Sequence, residues 1–345
     1  MQDIISKEHA GMVLREYIRG IIGLSRGALT ALKQNPRGIL LDGERVTVRA
    51  VLRGGDVLTL ALEDAESAPT LIPSDLPLEV LYEDDLCVVC SKPPYMPTHP
   101  SHGHYDDTLA NALAFRYAKR GIPFVFRAVN RLDSDTSGAV LVARSRAAAA
   151  AYGSDMREGR IGKVYFALLC GIGLPSHGEI NAPIARMRES IIFRCVSPDG
   201  EPALTRYRVI GTCRVSGEPC TAVLAEPATG RTHQLRVHFA HIGHPIYGDT
   251  LYPVSEERLS ALVRRRETGE ALPEQVHGGP IGRQALHAAL LLFDRYGGAS
   301  GERGERLCVS APFPQDIDAL LDPDIKEKTN RMIDLCREAG GIFKL

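Results

Sequence analysis

Apolar and polar positions follow two different rhythms along this chain. Over residues 11–62, Leu14, Tyr17, Ile18 and Ile21 recur at i, i+3, i+4 and i+7, which predicts a first helix. Ser25 is placed to cap a second helix that turns Leu29 and Leu32 inward, and Asn35-Pro36-Arg37-Gly38 stops it. Ile39-Leu40-Leu41, Asp42-Gly43 and Arg45-Val46-Thr47-Val48 read as a hairpin, because Asp-Gly accepts the two positive φ angles of a type I′ turn. Val57 to Leu62 is a last strand. Residues 63–77 carry Pro69, Pro73 and Pro77 among acids and serines and read as an extended linker.

The rhythm changes at Leu78. Leu78–Asp85 opens a larger domain, Leu86–Cys90 reads as a core strand, Thr108–Ala118 as a helix, and Ala139–Ala143 as a buried strand. Thr221–Ala225 is a strand before the turn Pro227–Gly230. Thr232 is then an expected N-cap for a short helix showing Leu235, Phe239 and Ile242 on one face. Short apolar runs between Gly/Pro turns, with few long helices, predict an α+β fold with a mostly antiparallel sheet over 78–320. Ser255–Arg283 is charged and reads as a peripheral helical insertion. Residues 321–345 form a C-terminal extension without an assigned role.

The chain has 345 residues, 44% hydrophobic and 24% charged, the composition of an ordinary globular protein with room for two domains. No apolar run reaches membrane-spanning length, and Met1–Lys7 lacks the basic and apolar regions of a secretory signal, so a cytoplasmic protein is expected. Its eight cysteines are then expected to be reduced thiols. Cys87-x-x-Cys90 lies in an apolar strand with no second pair at zinc spacing, and His99, His102 and His104 have no acidic partner at metal spacing. No metal site is expected. A net charge of −1 does not advertise a nucleic-acid partner, but the distribution does. Residues 1–62 hold nine basic against six acidic side chains, and between residues 11 and 37 Arg15, Arg19, Arg26, Lys33 and Arg37 face one acid. Such a face suits phosphate contact.

Candidate chemistry concentrates in Val129-Asn130-Arg131-Leu132-Asp133-Ser134-Asp135-Thr136-Ser137-Gly138, a polar turn before a buried strand, which places a carboxylate beside an arginine on a rigid support. The stretch resembles the Arg-Leu-Asp-x-x-Thr-Ser-Gly signature of RluA-type pseudouridine synthases, RNA enzymes that isomerise uridine. Asn130 stands where that family usually has His. Three further pieces follow in family order. Lys163-Val164-Tyr165 matches Lys-x-Tyr, Thr229-Gly230-Arg231-Thr232-His233-Gln234-Leu235-Arg236 matches Thr-Gly-Arg-x-His-Gln-x-Arg, and Leu286-His287-Ala288 matches Leu-His-Ala. Residues 11–62 resemble the alpha-L RNA-binding module of a ribosomal small-subunit protein.

The resemblance implies that Asp133 is the catalytic carboxylate, that Arg231 pairs with it, and that Tyr165 shares the active site. Arg131, whose planar guanidinium can stack on bases, is expected to fill the place of a flipped base, the alternative being a salt bridge to Asp133 or Asp135, and Asn130, His233 and Arg236 are expected to contact RNA along with the basic N-terminal residues. The resemblance further implies a cofactor-free isomerase acting as a monomer on structured ribosomal or transfer RNA. The alternative is a non-catalytic RNA-binding or ribosome-assembly protein that keeps the fold; a carboxylate glycosidase would need a second acid where these motifs offer Arg and Tyr.

Overall fold

A computed structural model describes the chain except residues 23, 25–28, 31, 34, 62–70, 188–189, 191, 253–280, 297–302 and 341–345. Among the described residues the buried apolar side chains form one core in the N-terminal module and three in a larger body. The first lies under β1 (Gln2–Ile4), β2 (Ile39–Leu41), β3 (Glu44–Arg45) and β4 (Val57–Leu60), an antiparallel sheet of order β1-β4-β2-β3. Leu14, Tyr17 and Ile18 fill it from α1 (Leu14–Glu16), which runs into a wider π turn over Tyr17–Ile21. Leu29 and Leu32 are helical and buried, as their spacing predicts. Asp42 and Gly43 have φ of 50° and 84°, the positive pair the type I′ turn requires. Ser25 and Arg26 lie outside the described residues.

The larger body is built on a nine-stranded sheet with hydrophobic cores on both faces. Its order is β5 (Glu79–Glu83), β6 (Cys87–Lys92), β7 (Ser137–Ala143), β14 (Leu286–Tyr296), β8 (Gly162–Cys170), β13 (Glu218–Pro227), β12 (Leu204–Val215) and β9 (His177–Asn181), with β15 (Arg303–Ser310) also on β14. β10 (Ile184–Arg186) and β11 (Arg194–Val196) form a separate small ribbon. Among the described pairings only β7–β14 is parallel, and it lasts two residues, His287↔Ser137 and Ala288↔Gly138. Gly138 makes this seam possible, since a Cβ there would sit 2.3 Å from the Ala288 carbonyl oxygen. The sheet is thus mixed and mostly antiparallel.

Four helices complete this body: α2 (Leu109–Lys119), α3 (Arg146–Arg157), α4 (Gln234–His241) and α6 (Pro323–Ala339), with one turn, α5 (Gln315–Asp318), before the last. One expectation changes. Leu71 and Leu76 pack on the main core and the Ile72 carbonyl accepts from Asn111, so the described end of the linker is docked. In the C-terminal extension, left without a role by the sequence, Ile325, Ile333 and Cys336 of α6 enter the main core against β12. The predicted insertion falls almost wholly on residues outside the description. Cys87 and Cys90 sit in cores on opposite faces of β6, as strand alternation demands of residues three apart, and all eight cysteines are free.

Candidate active site

The Asp133 turn enters the sheet at the β7–β14 seam and forms the floor of an open cleft of about 650 Å³, a size that suits a nucleoside-sized ligand. Buried side chains hold three carbonyls of this turn, those of Leu132, Ser134 and Asp135. Thr98 Oγ1 donates to the Leu132 carbonyl at 2.9 Å and accepts from the Leu132 N–H at 3.2 Å. The fully buried Lys92 ammonium donates to the carbonyls of Pro93, Met96 and Ser134 at 2.7–2.9 Å. Burial pulls its pKa down to about 7. On the other side buried Arg283 donates to the Asp135 carbonyl at 2.9 Å while clamped by Asp316. The Asp133 carboxylate itself is one-third exposed. A turn so fastened keeps its carboxylate in one place.

The cation beside Asp133 is Arg236, not Arg231. Arg236 is 3% exposed; its Nε and Nη2 grip Asp249 at 2.7 and 2.8 Å, and its Nη1 reaches Asp133 Oδ2 at 3.4 Å. Burial opposes its charge, but the Asp249 carboxylate, with Asp133, more than offsets this and raises its pKa. Arg231 points outward instead. It pairs with Glu201 and donates through Nε to the Pro202 carbonyl at 3.1 Å. The physical reason is the local backbone. Helix α4 begins at Gln234, not after a Thr232 cap, because His233 adopts a left-handed φ of 57°. Gln234 holds the turn by accepting from Arg231 N–H and Thr229 Oγ1, and donating to Leu204. Arg231 therefore precedes the reversal and Arg236 follows it on the inward helix face.

Other expected site residues also sort by position. Tyr165 on β8 is 8% exposed and lines the cleft, and its hydroxyl has no hydrogen-bond partner among the described residues. Burial, then the negative charge of Asp133, pushes its phenol upward. Arg131 is exposed on the rim. Asn130 is a correction: it is buried, its Oδ1 accepts from Leu141 N–H at 2.8 Å and its Nδ2 donates to the Ala139 carbonyl at 3.2 Å. Its amide thus mimics a strand partner for β7 and has no free polar atom for RNA. His233 Nε2 lies 3.8 Å from Asp133 Oδ2, nearer the carboxylate than its expected role as an RNA contact implied. His238 is fully buried between Thr205 and Ala182.

Arg236 and His233 both approach Oδ2, which leaves Oδ1 without a donor among the described residues. Lys92 and Asp249 were given no role by the sequence, and Arg283, read as the end of a peripheral insertion, is instead buried beside the Asp133 turn. Their only signal was a charged residue next to an otherwise buried run, which does not say what it will touch. Among the described residues no cluster of His, Cys, Asp or Glu has metal-holding geometry, and no helix is long and apolar enough to cross a membrane.

The chain is similar to known proteins over most of its length. A family model described as RNA pseudouridylate synthase matches residues 86–241. The uncharacterized RNA pseudouridine synthase YjbO of Bacillus subtilis is 35% identical over 310 residues, 90% of this chain and 98% of the relative. Ribosomal large subunit pseudouridine synthase D of Xanthomonas campestris pv. campestris is 37% identical over 86% of this chain and 84% of its own. The solved structure of human RNA Pseudouridylate Synthase Domain Containing 1 superposes with a TM-score of 0.52 at 29% identity, covering 74% of this chain and 95% of that one.

Proposed function

The chain belongs to the RNA pseudouridine synthase family, and from that premise we propose that Asp133 is its catalytic carboxylate, held by Arg236, and that its substrate is structured ribosomal RNA. The reaction breaks the bond from the ribose to a uracil nitrogen and joins the same sugar carbon to carbon 5. Carbon 5 loses a proton, the freed nitrogen gains one, and no electron is exchanged. A carboxylate beside the sugar can act as nucleophile or charge stabiliser, as in retaining glycosidases.

The observation that carries the reading is the asymmetry of the Asp133 carboxylate, with Oδ2 turned to Arg236 and Oδ1 unclaimed in the cleft. Arg236 fixes the direction of the group through Oδ2, and its own charge is stabilised by Asp249. Tyr165 supplies an aromatic wall and a hydroxyl for a departing uracil. The target base must first leave its stack, at a cost of a few kcal/mol, and the free guanidinium of Arg131 on the rim suits the vacancy. Residues 1–62 serve as the phosphate-contacting module, through the exposed Arg15, Arg19, Lys33 and Arg37.

The name of the Xanthomonas relative favours large-subunit ribosomal RNA over transfer RNA. The test uses large-subunit RNA and transfer RNA carrying tritium on uridine carbon 5, since isomerisation expels that hydrogen. Release is expected from ribosomal RNA alone. Release from transfer RNA alone overturns the substrate assignment, and primer extension after carbodiimide treatment then locates the uridine.

A further inference from the structure

We propose that Tyr252 fixes His233 as the neutral tautomer whose Nε2–H faces Asp133, so that the two form a positioning dyad for that carboxylate. The inference rests on the reading of Asp133 as the catalytic group. Tyr252 is 2% exposed, and its hydroxyl lies 2.6 Å from His233 Nδ1. The same hydroxyl oxygen accepts the Arg194 backbone N–H at 3.1 Å. No other acceptor for the phenol proton exists among the described residues. If Nδ1 carried a hydrogen, the hydroxyl proton would be buried without an acceptor, which folded proteins avoid. The phenol therefore donates to Nδ1, and the imidazole proton resides on Nε2, 3.8 Å from Asp133 Oδ2.

Two features show that the geometry is built. His233 holds the left-handed backbone (φ 57°, ψ 20°), uncommon for a residue with a side chain, and this turns its ring back over the cleft floor. The Tyr252 ring meets the imidazole edge-on at 5.5 Å and lies 5.1 Å from the Arg236 guanidinium carbon. One phenol thus packs against both groups that approach Oδ2. Desolvation first, opposed by Asp133 and reinforced by Arg236, lowers the His233 pKa to about 4, so the ring stays neutral. A neutral N–H donor can shorten toward Oδ2 when substrate closes the cleft, as active-site hydrogen bonds do. Oδ1 is left for the sugar.

The test is a long-range proton–nitrogen NMR spectrum of the full chain labelled with ¹⁵N-histidine at neutral pH. The His233 signal is identified among the eleven histidines by its loss in His233→Asn. The expected result is a neutral ring protonated at Nε2, with Tyr252→Phe converting it to a mixture of tautomers. In the same variant kcat should fall about tenfold or more with KM little changed, the scale of losing a partner that orients an imidazole. His233→Gln, whose amide N–H falls near Nε2, should retain more activity than His233→Asn, although Asn suits the left-handed backbone better. An Nδ1–H or doubly protonated ring in the wild type overturns the proposal, as does a Tyr252→Phe protein with unchanged tautomer and kcat. Should Tyr252→Phe fail to fold, the wild-type tautomer and the Gln/Asn order decide. The tautomer is read without turnover, so failure here is distinct from failure of Asp133 as the catalytic group.

Discussion

The floor and the outer surface of the cleft use cations in opposite ways. On the floor, Lys92, Arg236 and Arg283 are buried and committed to carbonyls or carboxylates around the Asp133 turn. On the rim and on the N-terminal module, Arg131, Arg15, Arg19, Lys33 and Arg37 lie in solvent. Buried cations act at short range in a poorly screened medium and fix geometry. Exposed ones act through a field that salt screens, and they suit a polyanion that binds and leaves. On the proposed function, the floor is expected to govern turnover and the exposed set affinity.

The sharpest way to break this division is Arg236→Lys. It keeps a charge but cannot grip Asp249 with two parallel bonds and still reach Asp133. Turnover should fall roughly a hundredfold, the scale of lost oriented charge stabilisation, while RNA affinity and its salt dependence hold. A weakened affinity with normal turnover would place Arg236 among the RNA contacts instead.

The buried histidines give the next effect, on stability. Burial lowers the pKa of His287 from 6.5 to about 4, against the opposing bond to the Ala311 carbonyl. Between those values the unfolded chain binds a proton that the folded chain refuses. Stability should thus be lost as pH falls from about 6.5 toward 4, by on the order of 2–3 kcal/mol for this residue. Urea midpoints across that range measure it, and His287→Gln should flatten the curve.

Smaller again is the joint change Arg15→Gln, Arg19→Gln, Lys33→Gln and Arg37→Gln. Two or three lost phosphate contacts should reduce the log–log salt slope of RNA binding by about 1.5–2.5, with turnover at saturating RNA preserved. Substitution is cleaner than deletion here, because Ala147 and Ala150 of α3 pack on the N-terminal core. An unchanged slope would make that module a structural cap. Smallest of all is Arg231→Gln, which removes an exposed ion pair with Glu201 worth about 1 kcal/mol or less. Turnover within about threefold of wild type is expected; a loss matching that of Arg236→Lys would mean the two arginines exchange partners when RNA binds.

These contrasts also show what the sequence could reveal. The α2 helix after Thr108, the Asp42-Gly43 turn and most strands are local consequences of periodicity and turn chemistry and stand as read, but the hairpin arm expected over Arg45–Val48 ends at Arg45. Asp133 stood out as a carboxylate on a tight turn before a buried strand, and the resemblance of that turn to a family signature supplied its expected role. Its partner was not legible. Arg231 and Arg236 lie five residues apart in one motif, and the choice between them depends on the left-handed backbone at His233 and on Asp249, thirteen residues beyond Arg236. Asn130 likewise looked like an open polar group, and only the edge of β7 shows where its amide is spent. The roles of Lys92 and Arg283 are set by carbonyls about 42 and 148 residues away, a separation no local pattern encodes.

The most direct measurement of the central claim is single-turnover tritium release by Asp133→Asn, with RNA binding measured in parallel. The amide keeps the shape and the contacts of the floor but has no charge to offer the sugar. Release indistinguishable from background, with affinity within a few-fold of wild type, is the predicted result. Substantial release from a folded Asp133→Asn protein would contradict the account and move the catalytic group elsewhere in the cleft.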